Sequence, residues 1–465
     1  MTKLKQERGI PMERKNQKSF ITTDDRLDKI KLEDASVRDV AEAFYYGNDS
    51  YNYNLDVLVS GFFNKSSINK YETNFSKYKH TVLQITMPDF LASLGFQKTG
   101  EYNPSHGNKI AKATKESKDI EGIIYQFYDK GLILYNHTQD KNRKLIIEIS
   151  SWYDKTGYDY SIYCNYDIDN NILLNWENYT KANNPYRGKK IDGSGEILKL
   201  NENISFDSIV LPDKMLKIIK DNTLKFFGTT ALLSQNNVNL KRGIILSGPP
   251  GNGKTMICKA LANEVNVSVL YVLPSNLQQT TDVNRIYEMA IELSPCLLII
   301  EDIDFMTMDR DNFSGDGRLI ELMNKLDGIE EMNGVITLAT TNLVDKVETA
   351  IKNRPGRFDR VINIPLPDID LRIEMFKKFL NNADVDYEVV AEKAEKLSGA
   401  YIKEICQTAK LLAIVNGDID SNNLAIVNDD YLLEAITEMS DKDFSQVKKY
   451  IPKNKIGFEV SRIER

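Results

Sequence analysis

The segment Gly248-Pro-Pro-Gly-Asn-Gly-Lys-Thr255 constrains the fold of this 465-residue chain more than any other feature. It fits the pattern G-x-x-x-x-G-K-[ST] and lies between a β-branched run, 243–247, and a helical pattern that includes Ile257. Its glycines let successive backbone N–H groups point at phosphate oxygens, and the N-terminus of the following helix adds positive charge. Lys254 is expected to reach the β- and γ-phosphates, and the Thr255 hydroxyl to bind Mg²⁺. The segment therefore predicts a nucleoside triphosphate site.

Short β-branched runs alternate with helical patterns after residue 206. The runs are 243–247, 269–273, 296–301, 334–342 and 361–364. This alternation predicts an α/β fold, in which parallel strands are joined by right-handed crossovers. Beyond Pro367 the apolar residues follow a helical period only, which predicts a small all-helical unit.

Acidic residues follow the apolar run 297–300 and form a second constellation. Glu301, Asp302 and Asp304 are expected at the carboxyl edge of the sheet, where ligands bind in open α/β folds. One carboxylate should hold Mg²⁺ and the next should orient and polarise the attacking water. Glu301 and Asp302 are the candidates for these two roles.

Three further residues are candidates for the same site. Asn342 ends the run 334–342 and could hydrogen-bond the γ-phosphate or the lytic water, although an Asn after a strand is often only a turn residue. Arg354 and Arg357 could neutralise charge on the transferred phosphoryl group, an effect of about 10³–10⁵ in rate. The alternative is that both arginines form surface salt bridges.

With these motifs in this order, residues 206 to 440 resemble the ATPase module of the AAA proteins, which are ring-forming remodelling ATPases. The match includes Ser398-Gly-Ala400 at the start of a lid helix. The resemblance implies a P-loop parallel sheet of order 5-1-4-3-2, a C-terminal all-helical lid and a homo-oligomer, usually a hexameric ring. It also implies hydrolysis of ATP with Mg²⁺, with Arg354 and Arg357 serving the neighbouring subunit.

The expected ligand contacts combine the loop motif with this resemblance. The segment at Phe206 resembles the one whose backbone meets the adenine. The predicted nucleotide-binding residues are Gly248, Pro249, Pro250, Gly251, Asn252, Gly253, Lys254, Thr255, Met256, Asp207, Gly399 and Ala400.

Two features depart from the family pattern. The family usually has Asp-Glu where this chain has Glu301-Asp302, so we expect slow but real hydrolysis. The segment 277–287 lacks the aromatic–hydrophobic–Gly pore loop of members that thread their substrates, so aromatic gripping of an unfolded chain is not expected. The mitochondrial translocator branch of the family resembles this chain in both respects.

Changes in composition and in the spacing of apolar residues divide the whole chain into predicted segments. We predict a flexible leader over 1–30, an α+β N-terminal domain over 31–190, the ATPase α/β subdomain over 206–366, a helical lid over 367–442 and a tail over 443–465. Within the N-terminal domain, strands are expected at 123–128, 132–135, 145–149 and 158–168, a helix is expected to start at Pro88, and a linker is placed at 180–204.

Charge and hydropathy limit the classes of partner that this chain is expected to bind. The net charge of -7 disfavours general coating of nucleic acid, and no apolar run has membrane-spanning length. We therefore expect a cytoplasmic ATPase that remodels a protein partner selected by its N-terminal domain. The alternatives are an ATP-gated oligomeric scaffold with little turnover, and a DNA-associated motor or loader, which is possible but not favoured.

Overall fold

In the computed structural model, the described residues are 13–15, 59, 62–63, 68–102, 113–151, 157–166, 170–236, 238, 240–307, 317–327, 334–343, 360–381 and 383–447. The chain divides into two compact units, Met1–Ile197 and Leu198–Arg465. No helix among the described residues has the length and apolarity needed to cross a bilayer.

The first unit is built on an antiparallel sheet. Its strands are β1 (Glu13–Lys15), β2 (Asn69–Ser76), β3 (Phe96–Tyr102), β4 (Thr114–Ile120), β5 (Ile123–His137), β6 (Lys144–Ser151) and β7 (Gly157–Cys164). A short strand, β8 (Lys190–Asp192), follows them in the chain and is not part of this sheet. The sheet order is β1-β2-β7-β6-β5-β3, and β4 pairs with β5. Two helices accompany the sheet, α1 (Lys77–Ser93) and α2 (Asn170–Ala182). Leu83 and Met87 of α1 share a buried cluster with Ile133, Ile147 and Tyr160 of the sheet.

Several local features of this unit differ from the sequence predictions. Pro88 lies inside α1, which begins eleven residues earlier, where Ser76 Oγ accepts a hydrogen bond from Lys79 N at 3.3 Å. Within the predicted leader, Glu13–Lys15 forms a strand that pairs with β2; the other leader residues lie outside the described part. The predicted linker also contains regular structure, because α2 extends to Ala182 and β8 follows it.

The strands expected at 123–128 and 132–135 are one continuous strand, β5. The sequence Asp-Lys-Gly between them is typical of a turn. Gly131 instead allows a close approach, since a Cβ atom there would lie 2.6 Å from the Ala113 Cβ and 2.7 Å from the Tyr102 carbonyl oxygen. The glycine is therefore explained by crowding around the sheet rather than by chain reversal.

The second unit contains the predicted parallel sheet, which is confirmed. Its strands are β9 (Arg242–Ser247), β10 (Ser268–Val272), β11 (Cys296–Ile300), β12 (Val335–Thr341) and β13 (Arg360–Asn363), in the order β13-β9-β12-β11-β10. All residues of β10, β11 and β12 are buried, as expected for parallel strands covered on both faces. The helices of this part are α3 (Asp213–Asn222), α4 (Leu224–Gly228), α5 (Thr230–Gln235), α6 (Lys254–Glu264), α7 (Thr280–Glu292) and α8 (Gly317–Asp327).

The C-terminal part of this unit is helical, as predicted. Its helices are α9 (Ile369–Phe379), α10 (Tyr387–Lys393), α11 (Gly399–Asn416) and α12 (Asp429–Val447). They bury a common apolar cluster that includes Phe376, Val390, Ile405 and Leu432. Asp368 begins α9 by accepting a hydrogen bond from Leu371 N at 3.0 Å. We refer to α9–α12 as the lid.

Candidate nucleotide site

The strand order places three chain segments side by side at the carboxyl edge of the sheet. Strand β12 lies between β9 and β11, with Thr341 opposite Ser247 and Ala339 opposite Ile300. The glycine-rich loop follows β9, the acidic residues follow β11, and Asn342 follows β12. Residues that are far apart in sequence therefore meet at one edge, as expected for ligand sites in this type of fold.

The loop between β9 and α6 consists of Gly248, Pro249, Pro250, Gly251, Asn252 and Gly253. Three of these residues have positive φ, which are Gly248, Gly251 and Gly253. Gly251 is packed against the lid, since a Cβ atom there would lie 2.6 Å from Ser398 Oγ and 3.0 Å from Ala400 Cβ. Ala400 N donates a hydrogen bond to Gly251 O at 3.0 Å. The predicted contacts Gly399 and Ala400 are thus at the loop, where α11 begins.

Two buried polar atoms near this junction lack hydrogen-bond partners within the described part of the chain. They are Ser398 Oγ and Asn252 Oδ1, and both residues are more than nine-tenths buried. Buried polar atoms are normally paired with protein or water. Their presence at the loop and at the first residues of α11 fits a polar ligand that has contacts with both.

Lys254 is the first residue of α6, and its side chain turns back over the loop. Its Nζ donates to Gly248 O at 2.7 Å and to Pro249 O at 2.9 Å, and the residue is buried. Burial lowers the pKa of Lys254, while the charges of Asp302 and Asp304 oppose that shift. The ammonium group is therefore available to a phosphate if it exchanges two carbonyl oxygens for phosphate oxygens.

The next two residues of α6 are more exposed to solvent than Lys254. Thr255 is exposed and Met256 is half-buried, so the Thr255 hydroxyl is accessible at the positive end of α6. Glu301 directly follows β11 and is buried, and its Oε1 accepts a hydrogen bond from Tyr271 O–H at 2.8 Å. A hydroxyl and a carboxylate are hard oxygen donors of the kind that Mg²⁺ prefers, so the residues present fit this ion.

Asp302 has an unusual backbone conformation for a residue with a side chain. Its φ is 49°, in the left-handed region, and its N–H donates to Thr340 Oγ1 at 2.8 Å. Strained non-glycine residues of this kind concentrate at functional sites. Partial burial raises the pKa of Asp302, the charges of Asp304 and Glu301 raise it further, and Lys254 opposes them.

Asn342 is attached to Asp304 by two hydrogen bonds. The backbone N–H of Asn342 donates to Asp304 Oδ1 at 3.1 Å, and its Nδ2 donates to Asp304 Oδ2 at 3.2 Å. Asp304 is buried and lies in the 3₁₀ turn Ile303–Thr307. The side chain of Asn342 therefore has a defined partner in this fold.

Asp207 lies in a segment with contacts to both α6 and the lid. The 3₁₀ turn Phe206–Ser208 is fixed at Phe206 N, which donates to Glu264 Oε1 at 2.8 Å. Lys378 of α9 donates to the carbonyl oxygen of Asp207, whose side chain is exposed. Val210 is buried in the lid cluster. This segment thus spans the two halves that would enclose a nucleotide base.

Arg354 and Arg357 lie outside the described residues. Three residues that contact the site were not predicted from the sequence: Tyr271, Thr340 and Lys378. Thr340 belongs to the same Thr-Thr-Asn run as Asn342, and Tyr271 occupies the end of the strand beside β11, so strand adjacency would have indicated both. Lys378 has no local sequence signal, because its contact with Asp207 joins residues 171 positions apart.

Comparisons with known proteins agree with this geometry. Residues 244–366 match the family described as "ATPase family associated with various cellular activities (AAA)". A proteasome-activating nucleotidase of Saccharolobus solfataricus is 28% identical over 340 residues, which cover 70% of this chain and 82% of that protein. A cell division cycle protein 48 homologue of Archaeoglobus fulgidus is 38% identical over 193 residues, covering 38% of this chain and 26% of that protein.

A third relative, a proteasome-activating nucleotidase of Sulfurisphaera tokodaii, is 33% identical over 202 residues, or 40% of this chain and 51% of that protein. The family match begins inside β9 and ends just after β13, so it includes the loop, the acidic residues and Asn342. The arrangement can hold a triphosphate on main-chain amides and present carboxylates and an amide to its terminal phosphate.

Proposed function

Because this chain is an ATP-hydrolysing enzyme of the AAA family, we propose that it uses ATP hydrolysis to remodel a protein partner or assembly. The observation that most supports the proposal is the meeting of the 248–255 loop with Glu301, Asp302 and Asn342 at one sheet edge. The first unit, Met1–Ile197, selects the partner, an assignment by analogy with the family.

ATP binding begins with an exchange of hydrogen bonds in the loop. The β- and γ-phosphates accept from the loop N–H groups and from Lys254 Nζ, which leaves Gly248 O and Pro249 O. Thr255 and Glu301 would hold Mg²⁺, which would supply positive charge to neutralise the phosphate oxygens. The base lies against the segment at Asp207, and Gly399 and Ala400 close over it at the start of α11.

Hydrolysis is an in-line attack of water on the γ-phosphorus. The new P–O bond forms as the bond from the γ-phosphorus to the β–γ bridging oxygen breaks, which releases ADP and phosphate. Asp302 accepts a hydrogen bond from the attacking water and orients it, and its backbone is held in place by Thr340. Asn342 acts on the same water or on the γ-phosphate. Turnover is slow because the side chain of Asp302 is one methylene shorter than the Glu that the family usually has at this position.

Completion of the site requires a second subunit. Arg354 and Arg357 enter the neighbouring site and neutralise charge on the transferred phosphoryl group, an effect of about 10³–10⁵ in rate. The active form is thus a homo-oligomeric ring with six subunits, and isolated subunits are nearly inactive. We place this ring in the cytoplasm.

The connection after β10 indicates whether this chain threads an unfolded protein or acts on a folded one. Residues 273–279 link β10 to α7 with the sequence Leu-Pro-Ser-Asn-Leu-Gln-Gln, which contains no aromatic residue. Two of the relatives above are named as activators of the proteasome. Without an aromatic grip in this connection, we propose that this chain moves a folded protein or rearranges an assembly instead of threading an unfolded chain.

Subunit mixing tests the proposal. Lys254→Ala should lack ATP binding but keep its arginines, whereas Arg354→Ala with Arg357→Ala should keep the nucleotide site and lose the arginines. Each protein alone should hydrolyse ATP at least about 10²-fold more slowly than the wild type. Their mixture should recover part of the activity, because some rings pair an intact site with an intact arginine pair.

Two further measurements separate the alternatives. Specific activity should rise with protein concentration as rings form, and Asp302→Asn should bind ATP without turning it over. Negligible turnover in assembled wild-type rings would instead indicate a nucleotide-gated scaffold. A strong increase in rate with single- or double-stranded DNA at low salt would favour a DNA motor over a protein remodeller.

A further inference from the structure

We propose that Asp304 is a positioning residue that fixes the amide of Asn342, so that its oxygen accepts a hydrogen bond from the attacking water. This inference rests on the proposed function, and it specifies which of the two possible partners Asn342 serves. It is carried by the paired hydrogen bonds between Asp304 and Asn342, at 3.1 Å to the backbone N–H and 3.2 Å to Nδ2.

The chemistry of a carboxylate decides the orientation of the amide. A carboxylate offers only acceptors, so the side of Asn342 that faces Asp304 Oδ2 must be the NH₂ group. The amide oxygen, Oδ1, is then an acceptor on the side of the amide that faces away from Asp304. Water that attacks the γ-phosphorus has an O–H to donate, whereas a phosphate oxygen has none. Oδ1 therefore suits the water.

The two strand ends are joined twice, which fixes Asn342 relative to Asp302. Asp302 N donates to Thr340 Oγ1 at 2.8 Å, and Asn342 N donates to Asp304 Oδ1 at 3.1 Å. These bonds run in opposite directions between the end of β12 and the turn after β11. The water-orienting carboxylate and the Asn342 amide thus belong to one cross-linked unit.

Both carboxylate oxygens of Asp304 accept hydrogen bonds from Asn342. Asp304 is 6% exposed, and it lies two residues beyond Asp302 in the 3₁₀ turn. A buried carboxylate is costly unless donors surround it, and the backbone N–H and the Nδ2 of Asn342 are two such donors.

The substitution Asp304→Asn separates orientation from simple attachment of the strands. An Asn at 304 can still accept from the Asn342 backbone N–H through its Oδ1. Its NH₂ group, however, would meet the NH₂ group of Asn342 donor to donor, so the Asn342 amide must turn. A purely structural role would be largely preserved, whereas the amide orientation would be lost.

The experiment measures steady-state ATP hydrolysis by the full chain, with Asp368→Asn as the matched control. Asp368 begins α9, where Asn also caps well, so that variant should behave as the wild type. In Asp304→Asn, kcat should fall about 10-fold or more, as for misplaced catalytic groups. KM and ATP affinity should change less than about threefold, because the effect is on the chemical step.

A double-mutant cycle shows whether Asp304 acts through Asn342. If it does, Asp304→Asn combined with Asn342→Ala should be no slower than Asn342→Ala alone. Independent, multiplying losses would overturn the inference. So would an Asp304→Asn kcat within about twofold of the control, or an Asn342→Ala variant as fast as the wild type.

A second variant keeps the test decisive if Asp304→Asn does not fold. Asn342→Asp retains an acceptor oxygen but cannot donate to Asp304, so its kcat should also fall about 10-fold or more. Wild-type turnover in Asn342→Asp would show that the contact with Asp304 is not needed. Full activity in Lys254→Ala would instead refute the proposed function itself, which distinguishes the two failures.

Discussion

Ala400 donates its backbone N–H to the carbonyl oxygen of Gly251 at 3.0 Å, which joins the first turn of the lid helix α11 to the glycine-rich loop. The contact is tight, since no Cβ atom fits at Gly251 without approaching Ser398 Oγ to 2.6 Å. The loop that would hold phosphates is therefore in direct contact with the lid. A change in loop conformation on nucleotide binding must be accommodated by the start of α11.

Gly251→Ala should weaken both ATP binding and the attachment of the lid. The φ of Gly251 is 80°, so an alanine there adds about 1–2 kcal/mol of left-handed backbone strain. The clash with Ser398 and Ala400 adds to that strain. We expect a loss of at least about 2 kcal/mol in the free energy of unfolding of the second unit, measured by calorimetry, and weaker ATP binding by titration.

Gly417→Ala is the matched control for this prediction. Gly417 follows α11 with a φ of 84°, and nothing lies within 4 Å of a Cβ atom there. This variant should show the backbone strain alone and keep wild-type ATP affinity. Equal effects of the two substitutions would mean that the contact between loop and lid contributes nothing.

The parallel sheet could be predicted from sequence because its strands are short, buried on both faces and bounded by helical patterns. The runs 243–247, 269–273 and 334–342 correspond to β9, β10 and β12 within two residues at each end. In such strands the apolar residues are continuous, so the local pattern and the tertiary structure agree.

The antiparallel unit was less predictable because long-range contacts decide its local structure. Gly131 lies inside β5 on account of its approach to Ala113 and Tyr102, which no nearby residue signals. Pro88 is inside α1, although a proline is more common at a helix start. In both cases the residue was assigned its usual local role, and tertiary packing gave it another.

The same distinction holds at the candidate site. The positions of the loop, Glu301 and Asp302 at the sheet edge could be predicted from sequence because each follows directly after a strand. The partnership of Asp304 with Asn342 spans 38 residues and depends on β11 and β12 being neighbours. Strand order, rather than spacing, is what brings these two side chains together.

Tyr271→Phe should raise the Mg²⁺ concentration needed for half-maximal hydrolysis. The Tyr271 hydroxyl donates to Glu301 Oε1 at 2.8 Å, so its removal leaves a buried carboxylate oxygen without this donor. With Glu301 as the proposed Mg²⁺ ligand, loss of this partner should cost about 10–100-fold in metal affinity or activity. Mg²⁺ titration of the ATPase rate measures the shift.

Tyr287→Phe provides the comparison for that experiment. Tyr287 is also fully buried, and its hydroxyl contacts Thr337 Oγ1 at 3.2 Å instead of an acidic residue. It should lower stability slightly and leave the Mg²⁺ dependence unchanged. A similar shift of the Mg²⁺ dependence in both variants would contradict a role for Tyr271 at the proposed Mg²⁺ site.

The first unit should lose stability in mild acid because of His80. This side chain is fully buried, stacks on Tyr158 with ring centroids 3.5 Å apart, and shares a hydrogen bond with Tyr160 at 2.7 Å. Burial lowers the pKa of His80 from 6.5 to about 3. At pH 5 the folded form is neutral while the unfolded form is protonated, so unfolding takes up a proton and acid favours it.

The size of the effect follows from the two pKa values. Stability is complete above pH 6.5 and declines toward pH 3, with about 2 kcal/mol lost by pH 5. Both tryptophans, Trp152 and Trp176, belong to the first unit, so urea unfolding followed by tryptophan fluorescence reports on it selectively. His80→Phe should remove most of the pH dependence between 7.5 and 5, although it lowers stability by removing one of the hydrogen bonds of the Tyr160 hydroxyl. The control variant His137→Gln keeps His80 and should retain the pH dependence. If His80→Phe still loses about 2 kcal/mol in its free energy of unfolding between pH 7.5 and 5, the acid sensitivity comes from other groups.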